Sequence, residues 1–348
     1  QINYIWGEIK PGKKNENNYT MVTSSDGVEV PVPTGYTASS ASDENSVNGG
    51  FVIYEGTEAV TDSNKWEAQC NRNQYVWIPI ADISDMYWRD QTTGKKYGTW
   101  YNFSKSATTY AKGSNRSYEP QTTSSDKQST YLTKYLNGMS REDFLMEMEI
   151  DFDKMLNSVA TYGGYYIGRY QAGDLAQATP VIKRMNTDIG SQTWYTVWKK
   201  SPRISTGGAN VHMIWGIQWD ETLKWLIDTG EKTYAEIGSD STSWGNYSNN
   251  SFTYYTNTSK STATKSANSY TRIPSGAYEG ANANNVFDLA GNVLDRTLES
   301  YVSGTGVSRY SRGGDCFGND YPAASRYDLS YPGGSYNNVG LRCALYIK

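Results

Sequence analysis

Only two stretches of this 348-residue chain carry the apolar repeat of an amphipathic helix, and that scarcity limits the fold more than any other feature. The first spans 140–160. Ser140 is placed to cap it, with Asp143 three residues on. Phe144, Leu145, Met148, Phe152, Met155, Leu156 and Val159 recur at helical spacing, and Gly163-Gly164 ends the run. The second starts near Asp220, sets Leu223, Leu226 and Ile227 on one face and stops at Gly230. The remaining regular segments are short. Phe51-Val52-Ile53-Tyr54, the run from Gln74 to Ile80, and Tyr165 to Tyr170 read as strands. From 271 onward there are short strands, many glycines and no helix signal. Two helices among short strands predict an α+β class.

Loops make up much of the rest. Residues 104–130 hold Ser, Thr, Gln and Lys and almost no aliphatics, which predicts a long surface loop. Residues 239–270 read the same way. Residues 1–50 are polar and broken by Pro11, Gly12, Pro31, Pro33 and Gly35, so 1–74 is expected to be an N-terminal extension packed on a main domain of 75–348. No internal repeat is visible. Tyr (30) and Trp (11) far outnumber Phe (7), and their amphipathic rings suit half-buried and contact surfaces. A net charge of -4 gives no electrostatic case for nucleic acid or an anionic membrane as partner. No stretch approaches the roughly 20 apolar residues of a membrane span. No signal peptide is recognisable, and a start at Gln1 rather than Met leaves room for an upstream anchor or export segment. Cys70, Cys316 and Cys343 form no C-x-x-C pair, so no zinc or disulfide scaffold is indicated. A Cys316–Cys343 disulfide and two free thiols both fit; free thiols are the expectation.

Several phrases occur in a telling order. Val76-Trp77-Ile78-Pro79 is an apolar strand ending in proline. Tyr166-Ile167-Gly168-Arg169-Tyr170 follows. Ile214 to Asp220, with Leu223 and Trp225, enters the second helix. Asn285-Val286-Phe287-Asp288-Leu289-Ala290-Gly291-Asn292-Val293 comes next, then Arg312-Gly313-Gly314 and Gly340-Leu341-Arg342-Cys343-Ala344. Together they resemble the formylglycine-generating-enzyme (sulfatase-modifying-factor) superfamily, over roughly 75–348. The resemblance implies a C-type-lectin-like fold. Gly291 and Gly313-Gly314 look like turn positions that need positive φ or close backbone approach. Asn292 and Asp295 are expected to satisfy loop backbone groups in the nearly helix-free half. In some relatives the matching region binds calcium; a turn-stabilising network is the expectation here.

The resemblance does not carry the family's chemistry with it. The cysteine-oxidising members use a closely spaced cysteine pair after R-G-G, which binds copper through soft thiolates. Here Cys316 alone follows Arg312-Gly313-Gly314, and Cys343 falls in the terminal phrase. Iron-dependent relatives need several histidines, whereas this chain has only His212, expected to be a buried or half-buried packing residue. No G-x-S-x-G, P-loop or H-E-x-x-H occurs, and no serine is placed beside His212. The acidic run Asp143, Glu147, Glu149, Asp151 and Asp153 is expected to lie mostly on the solvated face of the first helix. No catalytic residue, cofactor or metal ligand is therefore expected. The alternative is a formylglycine-generating-type oxidase or related metalloenzyme.

A non-enzymatic branch of this fold comprises the variable proteins of diversity-generating retroelements, found in phages and bacteria. In them the segment between R-G-G and the closing G-x-R strand varies. Residues 309–348 resemble that region. Leu294 and Arg296 depart from the enzyme pattern, which has tryptophans around this point. Tyr gives stiff amphipathic contact area, while Ser, Gly, Asn and Asp give adaptable hydrogen bonding. Arg312-Gly313-Gly314, Pro322-Ala323-Ala324 and Arg326 are expected to hold the backbone. The exposed contact candidates are Asp315, Cys316, Phe317, Asn319, Asp320, Tyr327, Asp328, Leu329, Ser330, Tyr331 and Tyr336. The expected function is a receptor-binding or adhesin-like display protein, extracellular, on a bacterial cell surface or phage virion. Its partner would be a protein or glycan.

Overall fold

The short apolar runs of this chain are too brief to be stable alone and persist by pairing. The computed structural model describes residues 8–103, 111–113, 126–303, 306–327 and 332–348, and it pairs the runs into two principal sheets. The strands that build the hairpin and sheets below are β1 (Tyr19–Thr23), β2 (Glu29–Pro33), β3 (Tyr36–Ala38), β4 (Val52–Glu55), β5 (Gln74–Pro79), β6 (Gly164–Gly168), β7 (Ala209–Met213), β8 (Leu294–Ser303), β9 (Gly306–Arg312), β10 (Arg326–Tyr327), β11 (Val339–Leu341) and β12 (Cys343–Ile347). The helices are α1 (Lys65–Asn71), α2 (Asp126–Tyr135), α3 (Arg141–Tyr162), α4 (Trp194–Lys200), α5 (Gly216–Asp228) and α6 (Tyr234–Gly238). The larger sheet runs β7-β12-β6-β5-β4-β3 and is antiparallel throughout. The smaller runs β10-β9-β8-β11, antiparallel except for the parallel pair β8–β11. This is the α+β class expected from the sequence.

The predicted first helix is α3. Ser140 Oγ accepts the Asp143 N–H at 3.0 Å, and Gly163 closes the helix in the left-handed region at φ 81°. Phe144, Met148, Phe152, Met155, Leu156 and Val159 are buried along one stripe. Its acidic run is not uniformly solvated, however. Asp153 is buried with an ion pair to buried Lys96 at 2.5 Å, since a buried carboxylate needs a partner.

The second helix begins at Gly216, ahead of the expected Asp220. The Gln218 side chain reaches back to the Trp215 N–H at 3.0 Å and secures the extra turn. A side chain at Gly216 would collide with Glu299, so the position suits only glycine. Four further helices escaped prediction. Part of the predicted loop at 104–130 belongs to α2, and the loop at 239–270 contains a hairpin, Phe252–Tyr255 with Thr262–Lys265. Helix α4 is rich in aromatic and β-branched residues, a strand-like composition. It is held as a helix by the Thr193 cap and by fully buried Trp194, whose Nε1 donates to the Thr297 carbonyl at 2.9 Å.

The stretch up to residue 74 contributes β3 and β4 to the larger sheet. Glu44 forms a buried ion pair with Arg169 at 2.7 Å, and the Tyr166 hydroxyl donates to the Pro31 carbonyl at 2.8 Å. Among the described residues no helix is long and apolar enough to cross a membrane.

Candidate functional site

The segment that follows β9 rests on a buried charged floor. Asp220, at the start of the second turn of α5, is fully buried. Its carboxylate accepts from Arg312 Nη2 at 2.6 Å, from Arg326 Nη2 and from the Tyr101 N–H at 2.8 Å. Glu299 on β8 pairs with Arg326 at 3.0 Å. Burial disfavours the Arg326 charge, but Asp220 and Glu299 outweigh it and hold the guanidinium above its ordinary range. The arginines then grip the backbone. Arg312 donates to the Ser325 carbonyl at 2.9 Å and the Ala324 carbonyl at 3.1 Å. Trp219 Nε1 donates to the Ala323 carbonyl at 2.9 Å, and the Ala323 and Ala324 N–H groups reach Ser241 Oγ and the Ile237 carbonyl. Residues expected to hold the segment do so.

Glu221, beside Asp220, carries a testable consequence. It is 6% exposed, and burial pushes its carboxyl up to about 7 against the opposing hydrogen bond from the Tyr101 hydroxyl. A carboxyl raised in the fold binds its proton more tightly folded than unfolded. Its contribution is therefore lost as pH rises between the ordinary 4.5 and about 7. Glu221→Gln removes that loss. Denaturant midpoints should show the variant more stable than wild type near pH 8 by up to roughly 3 kcal/mol, with the gap closing toward pH 4.

Around the glycine turn, Gly313 and Gly314 take φ 90° and 72°, as the positive-φ expectation required. The Tyr247 hydroxyl lies 2.8 Å from the Gly313 carbonyl and 2.9 Å from that of Tyr321. Gly291, at φ 76°, donates to the Gly313 carbonyl at 2.7 Å. Asn292 is the hub: its side chain pairs with both the N–H and the carbonyl of Ile273, with Asn246 and with Gln171. Asp295 behaves differently from expectation. Its carboxylate takes side-chain donors, Arg342 at 3.2 Å and Gln171 at 3.4 Å, rather than loop backbone. Burial raises both Asp288 and Asp295 to about 6.

The resemblance raises calcium near Asn292, copper at a cysteine pair and iron on several histidines. Around Asp288 and Asp295 the carbonyls already face N–H groups, Arg342 donating to those of Phe287 and Asp288 and Gln171 to that of Val293, while Asp288 Oδ1 and Asp295 Oδ1 are buried without a hydrogen-bond partner. The three cysteines are free thiols. Cys316 is pushed up to about 12 by burial and then by Asp315, and Cys343 is raised further by burial.

The contact candidates among the described residues divide into three groups. Phe317, Asn319 and Asp320 are exposed. Asp315 is half-buried and committed to the turn, accepting from the Phe317 N–H at 2.8 Å and from Asn338 Nδ2 at 2.6 Å. Tyr327 and Tyr336 are half-buried. Cys316 is a correction. It is fully buried, because its N–H is drawn in to the Asn292 carbonyl at 3.1 Å and its side chain follows. Asp328, Leu329, Ser330 and Tyr331 lie outside the described residues. Two exposed aromatics join the group unannounced. Tyr270 is 64% exposed and stacks on Phe317 with ring centroids 6.2 Å apart, and Tyr321 is 41% exposed, edge-on to Tyr327 at 5.1 Å. Tyr270 ends the 239–270 stretch, and its separation from the other aromatics there, the nearest being Tyr255, was the only available signal.

On the far side, Arg296 is buried and donates to the Gln192 carbonyl at 3.1 Å and the Gly334 carbonyl at 2.8 Å. The Trp194 N–H reaches the Pro332 carbonyl, and the Ser191 N–H that of Tyr336. Both ends of the segment are thus tied to buried groups, while Phe317 and Tyr321 face out.

His212 is buried, as expected, with its ring edge-on to Tyr346 at 5.2 Å.

Residues 219–347 match the family model described as the sulfatase-modifying factor enzyme 1-like domain (FGE-sulfatase), which covers a little over a third of the chain. The α+β architecture is of that C-type-lectin-like type. A solved structure named "Crystal Structure of CarF" is similar over 53% of this chain and 87% of that chain, at 13% identity and a TM-score of 0.37, a likeness too low to carry an argument. No curated protein matches the chain.

Proposed function

We propose that this chain is a binding protein that presents the face formed by residues 315–327, 332–338 and Tyr270 to a protein or glycan partner. The observation that carries this reading is a pairing of opposites: exposed aromatics on a backbone pinned from below. Phe317, Tyr321 and Tyr270 supply rigid contact area at small cost in side-chain entropy, while Arg312, Arg326, Trp219 and Tyr247 keep the backbone in place. Such a division lets surface side chains change without disturbing the fold. The proposal extends to diversification of the face by a retroelement, to a non-catalytic role, and to a bacterial cell surface or phage virion as the place of display. The buried, protonation-favouring thiols support the non-catalytic part.

Two measurements test it. Changing Tyr270, Phe317 and Tyr321 together to Ala should weaken binding in a glycan and surface-protein screen by tenfold or more, about the loss of one hot-spot residue. Thermal stability should barely move, because all three are exposed. Unchanged binding would place the site elsewhere. Diversification is tested on the genome: a near-identical copy of the 309–348 coding region, differing at adenines and beside a reverse transcriptase gene, is the expected finding. Its absence would sink that part of the reading.

A further inference from the structure

The acidic run on α3 and the single histidine meet in a cleft that the recognition face does not use. The cleft, of about 480 Å³, lies between α3, α4, the 201–205 turn and β7, and its lining includes Met139, Glu147, Asp151, Trp198 and His212. A second, adjoining hollow shares Leu136, Met139 and Glu147 with it and adds Asp143. Asp143, Glu147 and Asp151 are four residues apart, so they align along one face of the helix. Lys199 is the one lysine or arginine in the lining. Burial and then Asp143 raise the Glu147 carboxyl, as expected where negative charge is under-compensated.

The histidine gives the cleft its polarity. His212 Nδ1 lies 2.7 Å from Asp151 Oδ2, and Asp151 is itself steadied by Trp215 Nε1 at 3.2 Å and the Tyr346 hydroxyl at 3.2 Å. A carboxylate only accepts, so Nδ1 carries the hydrogen and Nε2 is the acceptor of the neutral ring. Nε2 is buried and has no hydrogen-bond partner, on a side chain 5% exposed. Asp151 Oδ1 accepts one hydrogen bond and has room for another. The two serines in the lining are occupied with backbone. Ser201 Oγ donates to the Trp198 carbonyl at 3.0 Å, and Ser205 Oγ accepts from the Val211 N–H at 2.7 Å. Neither is bonded to His212, so the cleft holds no assembled nucleophile, and its unused acceptors ask for a donor.

We propose that this cleft binds an alkylammonium group, held by Glu147 and Asp151, donating one N–H to His212 Nε2, with its hydrocarbon against Met139 and Trp198. An ammonium brings three donors and a positive charge to a place with spare acceptors and surplus carboxylate. Trp198 adds an aromatic ring suited to a cation. The site has no residue in common with the recognition face and stands or falls separately from it.

The chain has one histidine, so its imidazole signal in a ¹³C-labelled sample is assigned without mutagenesis. n-Butylammonium chloride titrated into the full chain should shift the His212 Cε1–H resonance saturably, on the order of millimolar for so small a ligand. n-Butanol and sodium butyrate, at matched ionic strength, should give no saturable shift. Glu147→Gln, an exposed position where folding is not at stake, should weaken the response roughly tenfold, the scale of one hydrogen bond to a charged group. The proposal is overturned by no saturable shift with butylammonium, by an equal response to butanol or butyrate, or by unchanged affinity in Glu147→Gln.

Discussion

Asp220→Ala should destabilise the protein by about 4 kcal/mol, the loss typical of breaking a buried ion network from one side. The carboxylate is completely buried and serves Arg312, Arg326 and the Tyr101 N–H at once. Without it Arg312, also fully buried, keeps only Glu299 at 3.6 Å as an anion. Arg326 keeps Glu299 at 3.0 Å, which limits the loss. Asp220→Asn retains one acceptor and should cost less. Urea unfolding measures both, with a lower midpoint and an unchanged slope as the expected pattern. A loss under 1 kcal/mol would mean that the two guanidiniums reach water when the carboxylate is gone. The change should be felt first at the 323–326 backbone, where faster amide exchange at Ala324 would register the loosened grip.

Gly291→Ala should be of similar severity for a different reason. The residue sits at φ 76°, where an L side chain costs roughly 1–2 kcal/mol. A Cβ there would also strike the Asn246 backbone, including its nitrogen at 2.9 Å, and backbone cannot swing away as a side-chain tip can. Strain and displacement together should exceed about 3 kcal/mol. Asn246, Asn292 and Gly313 converge on this point, so the recognition segment should shift as well. Gly318→Ala is the control. Nothing lies within 4 Å of a Cβ there, and its effect should stay within about 0.5 kcal/mol. Comparable losses for the two would show that Gly291 is not tightly enclosed.

The sequence was informative where many residues repeat one instruction. Helix α3 has a cap, a seven-member apolar stripe and a glycine stop, and it was found nearly to its ends. Strands β5 and β6 were found for the same reason. Helix α4, seven residues long, has no such redundancy. It exists because Trp194 docks under β8, a contact invisible from local pattern. The site followed the same logic. The R-G-G turn and the Asn292 hub were readable because they need particular residue types. Burial of Cys316 and exposure of Tyr270 depend on how distant loops close over one another, and neither has a local signature.

Strand β12 has a consequence for which versions of the 315–338 segment can be part of a complete fold. It follows that segment in the chain yet lies in the interior of the larger sheet, between β7 and β6. A frameshift or premature stop anywhere in 315–338 would therefore delete a central strand along with the face. Such a product loses the pairings of β12 with both β7 and β6 and splits the larger sheet at that point. A substitution among the exposed side chains leaves β12 intact. The order of the chain thus acts as a proofreading step: the larger sheet is complete only when the message has been read in frame through the segment to the strand beyond it.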